Sequence, residues 1–356
     1  MYLNEIEFRD FSHSSYVQLD STDIHTVKQL LINSGLPSKA LKSNAHQSKD
    51  NFKKLALDQI NLASSFPALG VAMAMHYHVV IVCEKFSENF PFWTENKSDI
   101  IENNKLFGSA FAEGIPSMDI FSPSVEISQL TDNNYQINGV KKPCTLSNIA
   151  DYFLVSGFDK KEEMLRLSII DNTQVITKNN QFWKSPIFAA SDTQAIHINN
   201  LLLNNQRIAV FGPNQLEPTL CYGLSVFTLL VTMTYLGIFN SLTKLCKAHI
   251  KKSPSFIREM LQIEQSISTL TEVMIEKSFQ SDVQIEMCND VLVIRYQIEK
   301  LIDQGVALLK QWLGMLPLVQ EPDIQHLMNC LQLFKYHPTS EFQYFSALAE
   351  ESVNNE

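Results

Sequence analysis

Histidines, cysteines and clustered charges are where this sequence could carry chemistry, and its 356 residues concentrate few of them. His76 and His78 lie in the run ALGVAMAMHYHVVIVCEKF, whose apolar composition behind Pro67 predicts a buried helix. Positions two apart on a helix point to different faces, so the pair is a poor joint metal ligand, and each histidine is expected to cap or pack locally. The six cysteines, at 83, 144, 221, 246, 288 and 330, show no close spacing of the zinc or redox kind. Several fall in apolar helical runs, where a Cys is usually a small buried residue. Reduced thiols and a cytoplasmic address are expected, and the N-terminal MYLNEIEFRDF is too charged for a signal segment. A net charge of −10, with no Lys/Arg run longer than a pair, argues against nucleic acid as a main partner.

The elements that must position any site fall into three blocks. Asp23 to Asn33 predicts a first amphipathic helix, capped by Ser21 or Thr22 and stopped at Gly35, after an irregular start to about residue 20. Asp50 to Ser65 predicts a second, the run from Pro67 a third, and a short helix follows near Ser98 to Asn103. From Phe107 the pattern changes. FGSAFAEGIPSMD, NYQINGVKKPCTLSNIADYFLV and SPIFAASDTQAIHINNLLLNNQRI alternate apolar and polar residues and are broken by Gly, Pro, Asn and Asp, which is a strand pattern. After Val210 helices return: Pro218 to Lys251, Pro254 to Ser281, a third ending in QWLG, and Asp323 to Lys335, joined shortly as in an up-and-down bundle. Cys221 to Phe239 is uncharged over 19 residues, near the ~20 that cross a bilayer, but its Ser, Thr and Tyr content favours a helix buried inside a bundle and no membrane insertion.

The order AFAEGIPSMD, then NG-KK-x-x-T-x-x-N-x-AD-x-FLV, then ASDT-x-x-I-x-I-N-N resembles the middle domain of the acyl-CoA dehydrogenase superfamily, and order and length match over nearly the whole chain. The resemblance implies a mainly α protein with a central β domain: an N-terminal helical domain (1–105), a middle β-barrel domain (106–214) and a C-terminal four-helix bundle (215–356). It implies FAD between the β domain and the bundle. By position, Phe111 and Ala112 take the ring-facing places, Ser117 the approach to the pyrophosphate, and Thr145 the place facing flavin N5. The first loop departs from the family pattern, reading Gly114-Ile115-Pro116-Ser117-Met118 where Gly residues usually approach phosphate. Gln311-x-x-Gly314 resembles the turn that touches a partner subunit's FAD, with Met315 in place of the second Gly, whereas the family's R-x-x-F-G segment is missing.

Family dehydrogenases oxidise an acyl thioester with a Glu as base. Here the matching stretch runs from Phe334 to Glu341: alignment on Tyr336 and Thr339 puts His337 in the Glu position, and ungapped counting from Gln311 puts Pro338 there. The family's other base position falls near Phe227 and Thr228. Three accounts stay open: His337 acts as base, since imidazole titrates near neutrality; Glu341 swings in; or the chemistry differs. Monooxygenases of this fold lack the Glu and use a His and a Ser or Thr to stabilise a hydroperoxyflavin, a pair Thr145 and His337 would supply. The resemblance therefore implies a flavin-dependent oxidoreductase, first an acyl-thioester dehydrogenase of fatty acid metabolism acting on acyl-CoA or an acyl-carrier protein. The alternatives are a monooxygenase or a non-catalytic interaction subunit. It also implies a homodimer or homotetramer.

Overall fold

The computed structural model describes residues 14–114, 123–174, 177–251, 253–279, 285–337 and 339–354. Six helices come first: α1 (Tyr16–Asp20), α2 (Ile24–Ser34), α3 (Lys39–Lys42), α4 (Lys49–Ser65), α5 (Pro67–Lys85) and α6 (Trp93–Asn103). The irregular start is corrected by α1, which closes through a capping box: the Ser15 hydroxyl accepts from the Gln18 amide, and the Gln18 side chain accepts from the Ser15 amide. Five residues are too few for periodicity to reveal. The cap of α2 is Asp23 rather than Ser21 or Thr22, because the Asp23 carboxylate accepts from both His25 and Thr26 amides. Gly35, at φ 67°, ends that helix in the left-handed conformation that glycine adopts freely.

Seven strands follow: β1 (Phe107–Ala110), β2 (Glu126–Thr131), β3 (Asn134–Cys144), β4 (Tyr152–Asp159), β5 (Met164–Asp171), β6 (Thr177–Asn179) and β7 (Gln194–Asn204). They form one curled sheet in the order β1-β4-β2-β3-β7-β6, with β5 on β4. The long antiparallel β3–β7 pair aligns Cys144 with Gln194, which brings the turn after β3 against the turn before β7. That register decides the site.

The remaining helices are α7 (Leu216–Lys247), α8 (Pro254–Ser278), α9 (Ile285–Leu313), α10 (Met315–Gln320), α11 (Pro322–Gln332) and α12 (Glu341–Asn354). Helix α7 is the axis of the molecule: α4, α5, α8, α9 and α11 all pack on it. Its closest approach is at Gly237, where an added Cβ would lie 2.3 Å from the Ile60 carbonyl oxygen, so a side chain there would drive α7 off α4. Helices α5 and α7 are long and apolar enough to span a bilayer, but 100% and 83% of their most apolar windows are buried in the protein, which accounts for their apolar composition as core.

Candidate active site

Between α5, the sheet and α7 lies a cavity of about 300 Å³. Four residues named from the sequence line it together: Phe111 and Ala112 after β1, Thr145 after β3, and His337 after α11. They come from three separate parts of the chain. The lining also includes Phe227 of α7, at the family's other base position, together with His78 of α5, Trp183, Phe188 and Tyr336, which sequence reasoning did not assign to a site.

Thr145 belongs to a chain of three buried hydroxyls. Its Oγ1 lies 2.9 Å from Thr193 Oγ1, which lies 2.8 Å from Ser191 Oγ, and all three residues line the cavity. Asp192 fixes this arrangement from behind, its carboxylate accepting from the amides of Asn148 and Ile149, from the Asn148 side chain and from the Ser147 hydroxyl. The ASDT and T-x-x-N segments are thus two halves of one hydrogen-bonded turn pair. Replacing Asp192 with Ala would leave several buried donors without an acceptor. A loss of about 2–4 kcal/mol in urea-unfolding free energy is expected, and a change below about 1 kcal/mol would contradict this anchoring role.

Phe111 is held by a buried ion pair. Lys141 Nζ of β3 donates to Glu113 at 2.7 Å, to the Phe111 carbonyl at 3.2 Å and to Ser156 Oγ at 3.0 Å. Glu113 also accepts from the amides of Ser124 and Val125. Burial opposes charge on the carboxylate, but the hydrogen bonds from Lys141 and Ser124 outweigh it, and the Glu113 pKa lies below its ordinary value. The Ala112 carbonyl accepts from the Lys142 amide at 2.8 Å, so both residues of this wall are tied to β3.

On the opposite wall the loop bearing His337 is clamped by Arg295 of α9. The buried guanidinium donates to three carbonyls of that loop, those of Phe334, His337 and Thr339. The His337 ring packs against Tyr235, centroids 5.4 Å apart, and against Phe227 at 6.5 Å. Burial, and then the Arg295 charge, push the His337 pKa down to about 3. The residue is half-buried, lines the cavity, and stands as a neutral imidazole near pH 7.

The α5 histidines have separate roles. His76 accepts from the Phe107 amide at Nδ1 and donates from Nε2 to the Pro37 carbonyl, both at 2.9 Å, tying α5 to β1 rather than packing only locally. His78 donates from Nδ1 to Ala74 within its own helix, and its ring stands edge-on to Phe227, 5.3 Å between centroids. Burial lowers both pKa values to about 4.

The other expected site residues lie elsewhere. Ser117 falls outside the described residues. Glu341 opens α12 and pairs with Lys300 of α9. Gln311 lines a hollow between α8 and α9, and Gly314 caps α10 at φ 74°. Among the described residues one buried group has a metal-ligating donor set: Asp20, His326 and Cys330. There the Asp20 carboxylate is already engaged, accepting from His326 Nε2 at 2.9 Å and from the Phe188 amide at 2.8 Å, which fixes Phe188 beside the cavity.

No family model matches the chain. Isobutylamine N-hydroxylase of Streptomyces viridifaciens is 24% identical over 303 residues, which are 80% of this chain and 78% of that protein. Among solved structures, dibenzothiophene monooxygenase from Paenibacillus sp. A11-2, in complex with FMN and indole, superposes with a TM-score of 0.78 at 13% identity over 98% of this chain and 96% of its own. Butyryl-CoA dehydrogenase from Megasphaera elsdenii gives a TM-score of 0.73 at 13% identity, covering 96% of each chain. Helical flanks around a curled sheet, the order of the motif residues and these superpositions agree: the chain has the acyl-CoA dehydrogenase fold over nearly its entire length.

Proposed function

We propose that this protein is a flavin-dependent monooxygenase acting on a small molecule held in the cavity beside Thr145 and His337. The observation that carries the reading is the character of the wall: three linked hydroxyls and a neutral imidazole on apolar surroundings, with no Asp or Glu among the described lining residues. The N-hydroxylase and the dibenzothiophene monooxygenase, named for oxygenation reactions, support it. Thioester dehydrogenation, which the resemblance also implies, draws less support. It needs a general base ready to take an α proton, and His337, with a pKa near 3, accepts a proton poorly at neutral pH.

The residues present fit a flavin. Apolar side chains and the Phe111–Ala112 segment offer a flat ring a water-poor slot, and the Thr145 hydroxyl, backed by Thr193, offers its edge a hydrogen bond. When bound and reduced, the flavin would supply the two electrons that activate dioxygen. Thr145 would hold a hydrogen bond at a ring nitrogen, His337 would donate or accept one toward oxygen or substrate without carrying charge, and Phe227, Phe188 and Trp183 would exclude water. FAD and FMN share the ring such a slot receives. Gln311, Gly314 and the exposed Met315, Leu316 and Val319 are proposed to lie where copies of the chain meet in a dimer or tetramer.

The test supplies a separate flavin reductase, a nicotinamide, flavin and ¹⁸O-labelled dioxygen with a small amine or heteroaromatic substrate. One oxygen atom should enter the product and the other should leave as water. Thr145→Val, which keeps the shape and removes the hydroxyl, should lower turnover about tenfold to a hundredfold while the unfolding midpoint barely moves. Label-free product, or flavin bleached anaerobically by an acyl thioester, would overturn the proposal.

A further inference from the structure

We infer that the cavity takes its substrate uncharged, and that an amine enters as its free base: a small, largely apolar molecule with one unprotonated nitrogen. This rests on the proposed oxygenation site and specifies what that site binds.

The cavity wall offers a cation no countercharge among its described residues. The titratable side chains facing the cavity are His78 from α5 and His337 and Tyr336 from the loop after α11; α7 offers Thr219, and the two turns offer the Thr145, Thr193 and Ser191 hydroxyls. No Asp or Glu is among the described residues lining this wall, and both histidines are held neutral chiefly by burial. Behind this wall Arg295 pairs with Glu299 at 3.7 Å and donates to the carbonyls of the His337 loop, while the Asp192 and Asp20 carboxylates are taken up by hydrogen bonds from Asn148, Ile149 and Ser147 and from His326 and the Phe188 amide. The carboxylate of Glu113 lies behind Phe111 and is already neutralised by Lys141. An ammonium brought here would lose its hydration and find no anionic partner among the described lining residues, so the neutral form is strongly preferred. Size points the same way, since about 300 Å³ shared with a ring system leaves room only for a small molecule. A free-base nitrogen also keeps the lone pair that must form the new N–O bond: the O–O bond breaks, one oxygen goes to nitrogen as a hydroxyl, and the other leaves as water with the two electrons and two protons that reduced flavin would supply.

Calorimetric titration tests this with three probes that share an isobutyl group: isobutylamine, isobutanol of nearly the same shape, and the bulkier permanent cation isobutyltrimethylammonium. An alkylamine ionises near the lysine value of about 10.4, so its free-base fraction rises about tenfold per pH unit from about pH 6 to 9. The apparent Kd of isobutylamine should fall by that factor per unit, that of isobutanol should stay constant, and the permanent cation should not bind. A flat pH profile for the amine, binding of the quaternary cation as tight as isobutanol's, or no binding of isobutanol would each overturn the inference. Calorimetry reads binding with or without flavin, so a failure of the flavin site, seen separately as colourless protein after flavin addition, stays distinct from a failure here.

Discussion

Replacing Lys141 with Met is expected to destabilise the protein by about 3–5 kcal/mol, because it leaves the Glu113 carboxylate buried without its cation. The pair is 2.7 Å apart, with side chains 0% and 3% exposed, so solvent cannot take over the role of the lost ammonium. Lys141 also holds the Phe111 carbonyl, and the same substitution should loosen the cavity wall and weaken flavin binding. Urea unfolding checks the stability term through the midpoint at constant slope. The double variant Lys141→Met with Glu113→Gln should recover part of the loss, since the stranded charge is gone. A single variant within about 1 kcal/mol of the parent would show that the pair does not hold this loop.

Acid should destabilise the fold well before its carboxylates titrate. His76 and His78 are buried and neutral, with pKa values near 4 against 6.5 for an exposed imidazole. The sign follows directly: below about pH 6.5 the unfolded chain takes up protons that the folded chain refuses until about pH 4, so stability present above that window is lost as pH falls through it. Each histidine contributes about 3 kcal/mol to the loss, and His337 acts in the same direction. Asp192 and Glu299, whose pKa values are raised chiefly by burial, oppose it, while the lowered pKa of Glu113 adds its loss only at more acid pH. The variant His76→Gln isolates one proton: its stability should fall less steeply than the parent's by up to about 1.4 kcal/mol per pH unit between about pH 6 and 4.5. Equal slopes would mean that His76 titrates normally in the fold.

Much of this architecture is legible in the sequence for plain physical reasons. Alternation broken by turn residues marks the strands from Phe107 onward, Pro67 marks the start of α5, and an uncharged run marks a helix surrounded by protein on all sides. Phe111, Ala112, Thr145 and His337 line one cavity because the β3–β7 register and the packing of α11 on α7 bring their loops together. What escaped was mostly partnership. Lys141 is visible as a lysine after NG, but its partner lies 28 residues away across the sheet. Arg295 acts through backbone carbonyls, which leave no mark on residue type. His78 sits in an apolar helix whose periodicity does not distinguish a cavity wall from solid core. Glu341 lies four positions from His337 in sequence, yet α12 starts there and turns its carboxylate to Lys300.

Binding of a flavin ring is proposed between Thr145 and the His337 loop. Its most direct test is a titration of the protein with FMN and with FAD, each oxidised and each reduced under anaerobic conditions, followed by absorbance and fluorescence. Saturable binding of at least one of these forms at one flavin per chain is expected, weakened in Lys141→Met. The absence of any saturable spectral change with either cofactor in either redox state would contradict it.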